Sequence, residues 1–141
     1  MKKTLIILLI SLPSLLLTSC SGSDDSNPPV ETTSLFGTWD LDYYIQNNDV
    51  IENISCNDQI TYTFTNTKTY TKTTFAGEGA TNCAVAVIVN GTWENLGDNQ
   101  FRLTPNGSSA NQNLTITFLD SFKKFSIKYN TNFTEVYAKR N

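Results

Sequence analysis

Three cysteines, scattered carboxylates and a complete lack of histidine define the chemistry open to this 141-residue chain. Without imidazole there is no Ser-His-Asp or Cys-His pair to activate a nucleophile, no His-ligated zinc, and no side chain that ordinarily titrates near neutral pH. The expectation is a protein that binds rather than catalyses, with no catalytic residues, no metal and no cofactor. The carboxylates do not reverse it. Asp40 and Asp42 stand at period two opposite Trp39, Leu41 and Tyr43; they should face water, whereas a catalytic pair needs one acid desolvated. Asp49, Glu52 and Asp58 gather around Cys56 but lack the alternating oxygen spacing of a calcium loop, so they read as a solvated acidic stretch.

The remaining reactive side chain, Cys20, is explained by what precedes it. Met1-Lys2-Lys3 gives a cationic start, and the run from Leu5 to Leu17 is apolar apart from Ser11, Pro13 and Ser14. That is the pattern of an export signal, and it is too short and too interrupted for a spanning helix, which needs about 20 apolar residues. Leu17-Thr18-Ser19-Cys20 resembles the lipobox of bacterial lipoproteins. The resemblance implies a thioether-linked diacylglycerol on Cys20 and cleavage just before it, so that residues 1–19 are a signal peptide. Two or three acyl chains, at roughly 0.8 kcal/mol per buried methylene, hold a protein firmly in a membrane. Removing 19 of the 141 residues, Lys2 and Lys3 among them, leaves 122 with 8 basic and 13 acidic side chains, a net charge of −5. Such a surface disfavours nucleic acid and electrostatic docking on anionic lipid, both of which demand clustered Lys and Arg. Residues 20–34, rich in Ser, Asp, Asn, Pro and Thr, read as an extended solvated tether. Asp24 and Asp25 resemble the acidic export signals of surface lipoproteins in the Bacteroidetes, and they equally suit a plain polar spacer. The expected location is the bacterial cell envelope, as an outer-membrane lipoprotein facing either the periplasm or the cell surface.

In an exported chain the two other cysteines, Cys56 and Cys83, read as a disulfide pair; two free buried thiols are the alternative. Beyond the tether, apolar residues recur at period two. Ile60, Tyr62 and Phe64 alternate with threonines, as do Leu114, Ile116 and Phe118, while Phe125, Ile127 and Tyr129 alternate with Lys and Ser. Each is a strand with one wet and one dry face. Strands are expected near 36–46, 60–66, 69–76, 83–94, 100–104, 113–119, 123–129 and 133–139, with a further short one around Val50-Ile51. The turns fall at residues 66–67, 97–99 and 105–107. About eight short strands on polar turns imply an all-β, antiparallel up-and-down arrangement over 35–141, which either closes into a barrel, removing its exposed edges, or splits into a sandwich; the residues that open and close the series favour the barrel.

Leu35-Phe36-Gly37-Thr38-Trp39 opens the strand series, and Tyr137-Ala138-Lys139-Arg140 closes it. This looks like the lipocalin and calycin superfamily, most closely the small lipocalin-like lipoproteins of Bacteroidetes. The resemblance implies that Gly37 turns the chain into the first strand, that Trp39 closes the barrel base, and that Arg140 packs across the indole. Small barrels can hold one ligand, and strand alternation nominates Trp39, Leu41, Tyr62, Phe64, Ile116, Phe118, Phe125 and Ile127 as candidate wall, although inward aromatics more often simply fill a barrel core. Gly91-Thr92-Trp93 repeats the opening tripeptide, and its flanks differ enough to read as reuse of a strand pattern. Two functions follow as expectations. One is a barrel taking a small hydrophobic or amphipathic molecule in or at its mouth. The other is a filled barrel whose surface binds another envelope protein or polymer. An enclosed apolar pocket of a few hundred cubic ångströms would support ligand carriage, and a continuous side-chain core would rule it out.

Overall fold

The computed structural model describes residues 35–52 and 54–141; the expected signal peptide, Cys20 and the expected tether lie outside them. Nine antiparallel strands follow one another: β1 (Gly37–Gln46), β2 (Asp49–Ile51), β3 (Ile60–Phe64), β4 (Thr69–Ala76), β5 (Ala84–Gly97), β6 (Gln100–Pro105), β7 (Gln112–Leu119), β8 (Lys124–Asn130) and β9 (Phe133–Lys139). Each pairs with its neighbour in sequence, except that β3 joins β1 rather than β2, and β9 returns to β1 to close the sheet. The result is the expected antiparallel barrel of eight strands, with β2 as an extra hairpin arm.

β1 shares its edge between two partners. Gly37 to Asp40 pair with β3, and Tyr44 to Gln46 pair with β2. A bulge between Leu41 and Tyr43 on the β9 side bends the strand there, as an extra residue in one strand must. The β1–β2 turn is Asn47-Asn48 at φ 53° and 72°, the left-handed pair that a two-residue hairpin requires and asparagine tolerates.

Strand alternation gives the barrel two unlike ends. At the base, where the chain comes in at Leu35, the turns after β3, β5 and β7 meet a continuous apolar core. Trp39, Phe64, Trp93, Phe101, Leu103, Ile116 and Phe125 are all essentially inaccessible there. Both tryptophans are fixed in the same way. The Trp39 indole N–H donates to the Leu35 carbonyl at 2.9 Å and the Trp93 indole to Thr65 at 3.2 Å. A lysine lies over each ring, Lys139 over Trp39 at 5.2 Å and Lys68 over Trp93 at 4.3 Å. The repeated Gly-Thr-Trp thus performs one task on two walls. Its glycines serve different ends: Gly37 has φ +131°, whereas at Gly91 any Cβ would sit 2.2 Å from the Thr104 carbonyl oxygen.

At the opposite end, the mouth, the rim is cross-linked. Cys56, buried in a 3-10 turn (Cys56–Asp58), is disulfide-bonded to Cys83 just ahead of β5. The Cys56 N–H donates to the Gly79 carbonyl at 2.7 Å, and the Gly77 N–H to Asn57 Oδ1 at 3.3 Å. The 52–59 connection is therefore stitched to the β4–β5 hairpin. That hairpin is long: β6 meets β5 only from Gly91, opposite Pro105, so Ala84–Val89 is paired on the β4 side alone.

Candidate functional site

A cavity of about 330 Å³ opens at the mouth. Leu41, Tyr44 and Gln46 of β1 line one wall, Ile60 and Thr74 of β3 and β4 another, Phe133 and Glu135 of β9 a third, and Asn57 and Asp58 form part of the rim. Leu41, Ile60 and Phe133 are apolar, and the ring of Tyr44 lies 5.7 Å from that of Phe133.

Glu135 gives the site its character. It is 7% exposed, and it is the one charged side chain in the buried set of the described residues. It sits inward because period two along β9 puts Phe133, Glu135 and Tyr137 on one face. Tyr137 Oη donates to Glu135 Oε2 at 2.6 Å and Tyr129 Oη to the same oxygen at 2.7 Å. Burial first, and then the charge of Glu135, pushes both phenols well above the ordinary tyrosine value of 10.0, so they remain donors across physiological pH. Tyr62, fully buried on β3, belongs to the same group. Burial and Glu135 raise its phenol too, and its Oη has no hydrogen-bond partner among the described residues. Lys72, directly opposite Tyr62 in the β3–β4 register, holds its Nζ 5.5 Å over that ring. Glu135 and the phenols of Tyr62, Tyr129 and Tyr137 thus form one group on the inner wall, with Lys72 beside Tyr62.

The eight residues expected to line a ligand site divide. Leu41 borders the cavity. Trp39, Tyr62, Phe64, Ile116, Phe125 and Ile127 are buried within the continuous core, and Phe118 packs half-buried against it at the base. They occupy the barrel because ring stacks such as Phe125 on Tyr137 (4.9 Å) and Trp39 against Phe125 (4.7 Å) leave no room between them. The basic residue over Trp39 is Lys139, not Arg140. Strand alternation turns Arg140 to the outer face, where its Nε donates to Asp40 Oδ2 at 2.8 Å and its Nη2 to Oδ1. Asp40 is accordingly half-buried rather than free in water. Burial raises its carboxyl, but hydrogen bonds from Arg140 and Thr61 and the Arg140 charge outweigh this and leave it below the ordinary 3.8. Asp42 reaches Lys124 at 2.9 Å.

Glu135 escapes a reading based on apolar alternation because it is charged, whereas Tyr129 stands on the dry face of its strand but outside the expected lining set. The usable signal was the charge itself, standing at an inward register between Phe133 and Tyr137. A second hollow of about 440 Å³ lies outside, where β1 leaves β3; it shares Leu41 and Ile60 with the mouth cavity and is rimmed by Asp40, Asp42 and Arg140. Among the described residues, no three Asp, Glu or Cys side chains gather as a metal site would require. No family model matches the chain, and neither does any curated protein.

Proposed function

We propose that this chain is a lipid-anchored, lipocalin-like lipoprotein of a bacterial envelope whose barrel takes one small amphipathic molecule at its mouth. The observation that carries this reading is the division of the barrel interior into a packed base and a mouth cavity of about 330 Å³ in which Leu41, Tyr44, Ile60 and Phe133 stand beside Gln46, Thr74 and the buried Glu135. A concave site that mixes apolar surface with placed polar groups suits one amphipathic molecule. The packed base restricts the ligand to the mouth half. The lipobox at Cys20 supports membrane attachment, and the chain comes into the barrel at the base, so a tethered barrel can turn its mouth away from the bilayer. Native mass spectrometry of the protein purified from its own membrane tests the binding: a small-molecule adduct is expected, lost when Leu41→Arg fills the mouth. A bare protein mass from that preparation would overturn the reading. Cys20→Ser should move the protein to the soluble fraction; retention in the membrane would remove the anchor.

A second reading, a barrel that engages another envelope protein, is favoured by one feature. The half-paired edge Ala84–Val89 carries Val85, Val87 and Ile88 at 57%, 54% and 56% exposure, and it carries no charge in an otherwise acidic chain. Main-chain pairing with an extended apolar strand of a partner is the interaction such an edge offers. A Val87→Pro variant that loses a co-purifying envelope protein, while keeping the small-molecule adduct, would establish it.

A further inference from the structure

We infer that the mouth cavity is selective for an amine: a short amphipathic molecule whose ammonium group pairs with Glu135 and whose hydrocarbon lies against Leu41, Ile60 and Phe133. This rests on the mouth reading above and adds the chemical class of its ligand. Three ion pairs are found among the described residues, Arg102–Glu94, Lys124–Asp42 and Arg140–Asp40, and none involves Glu135. Its partners are two neutral phenols, and both donate to Oε2, which leaves Oε1 for a group in the cavity. A buried acid with no counter-ion is costly, and the usual remedy is a cation at hydrogen-bond distance. Lys72, opposite Tyr62, makes no ion pair with Glu135 and instead holds its Nζ over the Tyr62 ring. A carboxylate ligand would meet Glu135 as a like charge, and an alcohol would leave that charge unpaired.

Titration calorimetry with hexylamine, 1-hexanol and hexanoate tests this on the full chain. Wild type is expected to bind hexylamine at least tenfold more tightly than either of the others. In Glu135→Gln, which keeps an acceptor for the tyrosines, hexylamine should fall to the affinity of the alcohol while the alcohol is unchanged. Equal or tighter binding of hexanoate by wild type would overturn amine selectivity and point to Lys72, with the mouth site itself intact. A folded Glu135→Gln that retains the amine preference would overturn it equally. If no probe binds wild type, both the selectivity and the mouth site fall. The ranking on wild type decides the matter even where the variant does not fold.

Discussion

Asp40 illustrates how a single side chain can contribute pH-dependent stability. Its folded-state carboxyl lies below the ordinary 3.8, so the Arg140 and Thr61 contacts contribute fully above that value and are lost as pH falls through the lower, folded one. Asp40→Asn should therefore lower the urea midpoint at pH 7, by less than about 1 kcal/mol because the pair is substantially exposed. The two proteins should converge as pH falls below 3.8, and a midpoint-versus-pH series for both checks this. Gly91 makes a steric argument. A methyl there would press on the Thr104 carbonyl oxygen, Tyr70 and Pro105 together, and two of those contacts are backbone that cannot swing away. Gly91→Ala should cost about 2 kcal/mol or more, as overpacking of a closed site does, and should be visible as a lower melting temperature by circular dichroism. Gly37→Ala meets chiefly the flexible end of Lys139, and its penalty comes from the backbone angle instead.

Strand by strand, the sequence was readable because one face of each strand is wet. The Ile60-Thr61-Tyr62-Thr63-Phe64 alternation became β3, and Leu114-Thr115-Ile116-Thr117-Phe118 became the body of β7, with Tyr62, Phe64, Leu114 and Ile116 buried as the period demands. The short strand around Val50-Ile51 became β2, built on an asparagine turn. Less legible was which strands would stand beyond the barrel wall. Val85 to Val89 fall in the strand expected over 83–94, but the outer neighbour, β6, ends opposite Gly91, and how far a strand is covered is set by its partner rather than by its hydrophobicity. Glu135 was hidden for a similar reason: it becomes an inner-wall residue only once β9 closes on β1 through the Tyr44–Glu135 register. An apolar, half-paired edge is also an association hazard. Ile88→Lys, on the exposed outer face of β5, should leave the melting temperature within about a degree while reducing light scattering on concentration. Unchanged scattering would show that the edge is already protected.

For the molecule as a whole, the Cys56–Cys83 bond is the main covalent constraint on the mouth. It closes a 27-residue separation, worth about 3 to 4 kcal/mol in the chain-entropy picture. Replacing both cysteines with alanine should lower the stability of the barrel by that order in denaturant unfolding. It should also raise amide exchange in the 52–59 and 77–83 segments before the base is affected, because their mutual hydrogen bonds are local to the rim. The base has its own fastening in the paired tryptophans, and these have an optical consequence. They are the only two indoles in the chain, and both are buried at the end away from the mouth. Their emission should be blue-shifted and nearly silent to occupancy, while reporting every event that opens the base. A fluorescence titration showing no change would therefore say nothing against a bound ligand. The informative chromophores are the tyrosines around Glu135, read by near-ultraviolet difference absorbance or circular dichroism.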